Sequence, residues 1–139
     1  MIVVDSSFAY ALLDDTDVGH TAARAWYEAP HPNLVTTPLV LAEVDHLVGT
    51  RLSAGALSSF HEDLAAGGYH VAWWDAAVSE SVSVAERYVD LGVGLTDASL
   101  VALAARLETT AVATFDERHF RAMTPLVGGP AFRLLPTDA

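Results

Sequence analysis

The segment Ile2-Val3-Val4-Asp5-Ser6-Ser7-Phe8-Ala9-Tyr10-Ala11-Leu12-Leu13 changes character at a single residue. Three β-branched residues run into a carboxylate, two serines suited to capping follow, and the rest is apolar. That reads as a short buried strand ending at Asp5, then a helix capped by Ser6 or Ser7 and running to Leu13. The same alternation recurs outward along the chain. Strands are expected at Leu34–Thr36, Tyr69–Trp73, Ala111–Thr114 and Phe132–Leu135. Helices are expected at about His20–Glu28, Pro38–Thr50, Ala54–Ala65, Ala76–Leu91, Asp97–Leu107 (with Thr96 as its cap) and Glu117–Ala122. Strands separated by helices indicate an α/β fold with a mainly parallel central sheet flanked by helices. Pro136 cannot extend a ladder, so the last strand belongs at an edge.

The chain has 139 residues, of which 52% are hydrophobic and 18% charged. A chain of this size buries about 68% of its unfolded surface, so one domain over residues 1–139 is expected, and disorder is excluded. No Cys is present, which removes disulfides, thiolate metal sites and cysteine nucleophiles. All seven basic residues are Arg, so a P-loop or a Schiff base is excluded as well. The net charge of −11 denies the protein a global positive field for nucleic acid, and any such contact has to be local. No basic region precedes Asp5, and no run of about 18 uncharged apolar residues occurs. The expectation is a cytoplasmic protein with no membrane association.

Four acids fall where packing has little use for them. Asp5 and Asp116 follow hydrophobic strands, and the carboxyl ends of parallel strands are where open sheets place ligands. Glu43 has Leu39 and Val40 one turn before it and Leu47 one turn after, so it is expected on the stripe facing the sheet. Asp97 opens a helix that is apolar nearly all round. Taken singly, Asp5 and Asp97 are first-turn or capping acids, Asp116 is a turn residue and Glu43 pairs with His46 or with a buried Arg. Taken together they would repel one another at one sheet edge unless a cation compensated them. An all-oxygen cluster without Cys suits Mg²⁺ or Mn²⁺, and Zn²⁺ is expected to substitute poorly.

With these motifs in view the whole chain resembles a PIN domain, and within that superfamily the VapC-type toxin ribonucleases of toxin–antitoxin pairs. The resemblance rests on Ile2-Val3-Val4-Asp5-Ser6-Ser7, on Leu41-Ala42-Glu43-Val44-Asp45-His46-Leu47, on Gly94-Leu95-Thr96-Asp97-Ala98 and on Thr114-Phe115-Asp116-Glu117-Arg118-His119-Phe120. It implies a Mg²⁺-dependent endoribonuclease (Mn²⁺ as an alternative ion) with Asp5, Glu43, Asp97 and Asp116 as catalytic metal ligands. It also implies a cognate small basic antitoxin and a homodimer. A nuclease of the same fold acting on DNA or in RNA processing, and a non-catalytic binding module, are the alternatives. A haloacid-dehalogenase-type site is excluded because Ser7 stands where a second Asp is required, and a receiver domain because it needs a Lys.

The neighbours of the acids divide less cleanly. Ser7 reads as a helix cap and as a hydrogen-bond partner of metal-bound water. Thr114 reads as a site hydroxyl or as a sheet-filling residue. Arg118 and Arg121 are expected to hold RNA phosphates, with Arg51 and Arg87 weaker candidates. His119 is expected at the surface. Asp14, Asp15 and Asp17 are expected to form a solvated turn. Tyr10, Leu13, Trp26 and Tyr27 are expected to be the apolar side chains that an antitoxin tail covers.

Overall fold

A computed structural model describes residues 1–139. β1 (Ile2–Val4) leads into α1 (Ser6–Leu13) and α2 (His20–Glu28), and β2 (Leu34–Val35) into α3 (Pro38–Arg51) and α4 (Ala54–Ala65). α5 (Ala77–Arg87) passes through a 3-10 turn at Val89–Leu91 to α6 (Leu95–Arg106), followed by β3 (Ala111–Ala113), α7 (Glu117–Ala122) and β4 (Arg133–Leu135). The strands form one sheet in the order β2-β1-β3-β4, and every pairing is parallel. Val3 sits opposite Val35 on one side and Val112 on the other, so β1 is fully flanked. That is why its three residues are all apolar and buried: a parallel strand covered on both faces has no polar side to show. β4 occupies the edge, as Pro136 requires.

The helices seal the sheet. α6 buries every residue from Ala98 to Ala104, consistent with an apolar surface nearly all round. α3 presents Val40, Val44 and Val48 to the core, with Pro38 in its first turn and Thr37 as its N-cap. The Thr37 and Ser99 hydroxyls lie 2.9 Å apart, and Ser99 gives its only proton to the Thr96 carbonyl at 2.7 Å. Thr37 therefore donates to Ser99, and this buried pair locks the start of α3 to the first turn of α6.

Two expectations change. Tyr69–Trp73 is not a strand and makes only a single parallel bridge, Thr36 to Val71. Beyond Thr36 there is nothing left to pair with, because Thr37 already caps α3 and Pro38 has no N–H. Trp74 turns away to donate to Glu80 at 2.9 Å, with Arg106 5.2 Å from its ring centre. α6 begins at Leu95 with Gly94 as its N-cap, which places Thr96 inside the first turn and leaves Asp97 a first-turn acid.

Phe8 is wholly buried between Trp26, edge-on at 5.5 Å, and Phe115, stacked at 6.0 Å. The loop after α1 closes over the Phe115 ring: a Cβ on Gly19 would stand 2.8 Å from that side chain. Phe8 thus joins β1–α1 to the segment that carries Asp116. Phe8→Ala is expected to cost about 3–5 kcal/mol of stability, measured by urea unfolding. A loss below about 1 kcal/mol would mean that this core relaxes around the cavity.

Candidate metal centre

Asp5 ends β1 only 2% exposed, and its burial is matched by donors. Its Oδ2 accepts from the Ser7 hydroxyl at 2.7 Å, the Thr114 hydroxyl at 2.8 Å and the Ser7 N–H at 3.4 Å. Since each hydroxyl spends its one proton on Asp5, the 3.1 Å approach between Ser7 and Thr114 is a contact of two acceptors. Both hydroxyls then accept in turn: Ser7 from the Phe115 N–H at 2.9 Å and Thr114 from the Asp116 N–H at 2.9 Å. The N-cap of α1 is Asp5 itself, so Ser7 supports that carboxylate and is not the cap. Thr114 is fully buried, and its hydroxyl joins Asp5 to the backbone of Asp116.

Asp97 and Asp116 meet in front of this network. Asp116 caps α7, accepting from the His119 N–H at 3.1 Å. One turn along that helix, His119 points its Nδ1 between the two acids, 3.0 Å from Oδ2 of Asp97 and 3.1 Å from Oδ2 of Asp116. Its Nε2 faces the Leu91 carbonyl at 3.2 Å. Every partner is an acceptor when ionised, an arrangement that favours the doubly protonated ring. Burial by itself depresses the pKa of His119, but the hydrogen bond to Asp97 and the charges of Asp116 and Asp97 outweigh it and raise the group above an ordinary histidine. Burial also pushes up Asp97, to about 6, helped by the Asp5 charge and opposed by the hydrogen bond from His119. Asp5 is raised by burial as well, against the hydrogen bonds of Ser7 and Thr114.

The expected site residues occupy different depths. Asp5, Ser7, Glu43, Asp97 and Asp116 all line one cavity of about 620 Å³, together with His119. Ligand atoms of Asp97, Asp116 and His119 lie within 4.8 Å of one another. Asp5 backs this group, and Glu43 is exposed at the rim. Glu43 does not face the sheet: the buried stripe of α3 is Val40-Val44-Val48, and a step of about 100° per residue turns Glu43 to its flank. Arg118 is exposed and off the cavity. Arg121 is committed to Asp138, at 2.6 and 2.8 Å, and to Glu117 at 3.1 Å.

Four residues were misplaced by pattern alone. His119 belongs to the site and not to the open surface. The signal was its spacing of three from Asp116, which puts both on one helix face. Asp14 is buried, accepting from the Tyr10 hydroxyl at 2.5 Å and from the Thr16 N–H and hydroxyl at 3.0 and 2.7 Å. Tyr10 is buried with it. Asp17, unmarked by its turn context, lines the acid cavity.

The residues present fit a divalent cation. A ring nitrogen set between two carboxylates marks a position suited to positive charge. The oxygen donors suit Mg²⁺ or Mn²⁺, and the nearby imidazole nitrogen is better matched to Mn²⁺. With His119 in the group, Zn²⁺ loses the ground for exclusion that a cluster without His offered.

The profile described as PIN domain matches residues 2–124. Ribonuclease VapC26 of Mycobacterium tuberculosis is 33% identical over 136 residues, covering 97% of this chain and 100% of the relative. The crystal structure of Mycobacterium tuberculosis VapC20, described as a sarcin-ricin loop cleaving toxin, superposes with a TM-score of 0.76 at 21% identity over 84% of this chain and 90% of that one. FitAcB from Neisseria gonorrhoeae gives a TM-score of 0.62 at 18% identity over 86% and 91%.

The raised pKa of Asp97 carries a stability consequence. The ordinary value is about 3.9, so folded protein binds this proton more tightly than unfolded chain does. The contribution is present below about pH 4, is lost as pH rises towards 6, and stays lost above that. In EDTA, Asp97→Asn is therefore expected to be more stable than wild type by up to about 3 kcal/mol at pH 8. The advantage should shrink to nothing near pH 4. Equal unfolding midpoints at pH 8 would show that Asp97 carries no such charge strain.

Proposed function

Because the chain belongs to the PIN-domain family, among its VapC-type members, we propose that it is a metal-dependent endoribonuclease and the toxin of a toxin–antitoxin pair. The observation that carries this reading is the convergence of Asp97 and Asp116 at the carboxyl end of a parallel sheet, in a cavity large enough for a phosphodiester. Asp97 and Asp116 would hold Mg²⁺ or Mn²⁺, with Asp5 behind them and Glu43 reaching in from the rim. Such ions, when bound, polarise the phosphate, favour deprotonation of the attacking water and stabilise the leaving 3′-oxygen, so that a 5′-phosphate and a 3′-hydroxyl result.

The chain's own residues prepare that chemistry. Asp5 is fixed by two hydroxyls and serves as an immobile negative floor. Thr114 and Ser7 hold the backbone of Phe115 and Asp116, which sets the direction of the Asp116 carboxylate. His119 screens Asp97 from Asp116 in metal-free protein, and its Nδ1–H must leave their oxygens before both can face a cation. Protons compete for Asp97, so metal affinity should fall below about pH 6. Two divalent ions bring the charge of −11 only to −7, so affinity for RNA is local and comes from accessible single strand.

The cognate antitoxin is proposed to be small and basic, matching the acidic surface. A second cavity, about 780 Å³, lies beside α1 and α2 and is lined by Phe8, Leu12, Leu13, Tyr27, Leu41 and Tyr69 among others. A cationic tail lying there would reach exposed Tyr27 and half-buried Leu13, while Tyr10, being buried, offers it nothing. Val78 and Val82, exposed one turn apart on α5, supply an apolar surface for the homodimer. No helix is long and apolar enough to cross a membrane, and the same reading places the protein in the cytoplasm.

Asp97→Asn and Asp116→Asn are expected to lower cleavage of total bacterial RNA by about 10²-fold or more, as loss of an electrostatic stabiliser does. Asp97→Asn is a cleaner test than Asp5→Asn, because Asp5 also caps α1 and anchors Thr114. Mn²⁺ at a hundredfold excess over Kd should add about 2.7 kcal/mol to wild-type stability. EDTA should stop cleavage, and undiminished activity after exhaustive chelation would exclude a metal mechanism. For the partner, Tyr27→Ala should weaken capture of the co-expressed antitoxin and leave RNA cleavage unchanged. Equal capture by both proteins would move the docking surface elsewhere.

A further inference from the structure

Positive charge is scarce around the acid cavity. Arg24 and Arg121 are spent in ion pairs, and Arg106 lies on Trp74. Of the seven Arg in the chain, Arg51 alone lines the cavity that holds Asp5, Glu43, Asp97 and Asp116. It stands on the last turn of α3, in register with Glu43 and Leu47, so these three residues form one helix face turned to the cavity.

Arg51 is exposed and appears in none of the ion pairs, yet its position is built. Its guanidinium carbon lies over the ring of Tyr10, 5.3 Å from the centroid. Tyr10 is 3% exposed and its hydroxyl is tied to Asp14, itself 8% exposed and fixed by two donors from Thr16. Asp14 also ends α1, its N–H returning to the Tyr10 carbonyl. A buried ring held at both ends is a rigid platform. A guanidinium resting over that ring and engaged in no ion pair still has donors to offer, and its fork of N–H groups matches the oxygens of a phosphate.

We propose that Arg51 binds a backbone phosphate of the RNA next to the one being cleaved, with Tyr10 and Asp14 as the residues that position it. This rests on the ribonuclease reading above. The five carboxylates lining the cavity repel a polyanion even when metal is bound, and a fixed cation on the wall gives the strand a defined direction of entry. The buried acid in the loop after α1 also gains a purpose, since it holds the aromatic platform from behind.

The test is steady-state cleavage of a fluorescent single-stranded RNA in Mn²⁺ at several salt concentrations. Arg51→Gln should raise KM about tenfold with kcat changed much less, and should flatten the dependence of log KM on log salt by about 0.7. Arg51→Lys, which keeps the charge and loses the fork, should keep the salt dependence and recover only part of KM. The rise in Tm produced by Mn²⁺ should be the same in all three proteins. An unchanged KM and salt dependence in Arg51→Gln, in a preparation whose wild type cleaves RNA, overturns the assignment. A smaller Mn²⁺-induced rise in Tm also overturns it, because Arg51 would then act on the ion site. A wild type that does not cleave RNA overturns the ribonuclease reading instead, and this assignment with it.

Discussion

The site depends on one desolvated carboxylate. Asp5 lies at the end of the central strand, almost out of contact with water, and is tolerated there because two hydroxyls and a backbone N–H face it. Those donors come from both sides of the β1–β3 pairing. Ser7 belongs to α1 and Thr114 follows β3, so one carboxylate joins two parallel strands and the helix that follows the first of them. The acceptor sides of the same hydroxyls fix the Phe115 and Asp116 N–H groups. The direction of Asp116 is thus set from Asp5 through two hydroxyl oxygens, with no loop free to choose.

Ahead of that anchor the protein gathers charge it cannot neutralise alone. Asp97 is partly buried and near two other acids, so its pKa climbs to about 6, and the only compensating group in contact is the His119 ring. An all-apolar core would be more stable than this arrangement. Local instability of that kind is usual where a fold must bind something, because the repulsion between the groups becomes affinity for a cation. Folding stability and metal affinity are therefore set against each other at Asp97. Each proton or imidazolium that quiets the metal-free state must be displaced when a metal arrives.

Most of the architecture was legible because it follows from periodicity. Ile2–Val4 and Ala111–Ala113 are apolar throughout because both faces are covered, and α6 is apolar nearly all round for the same reason. The four acids could be picked out because carboxylates at strand ends and on apolar helices lack packing reasons. What failed was orientation and depth. Leu39 and Leu47 around Glu43 suggested a buried stripe, but Val40, Val44 and Val48 define it, and a one-residue offset on a helix moves a side chain from core to rim. Asp14 read as a solvated turn because nothing local reveals that Tyr10 folds back onto it. Tyr69–Trp73 has strand composition, yet a ladder needs a partner, and the partner strand ends at a helix cap. Each miss concerns a tertiary neighbour and not a local preference.

An enzyme with a net charge of −11 that acts on a polyanion has an affinity problem with few solutions. General electrostatic attraction is unavailable, so binding has to be assembled from a few localised positive groups. In the proposed mechanism metal ions would supply some of these, once the carboxylates are deprotonated and clear of His119. The Arg residues supply the rest, but six of the seven lie outside the acid cavity, and three of those are paired or stacked elsewhere. For the proposed ribonuclease, weak binding to RNA in general, with attraction confined to one cavity, is the expected consequence of that distribution. It favours substrates whose shape brings a single-stranded phosphate run to the cavity over those that merely carry charge. The same acidic surface is also the natural complement of a cationic protein, so the property that limits promiscuous RNA binding makes the chain easy for a basic partner to restrain.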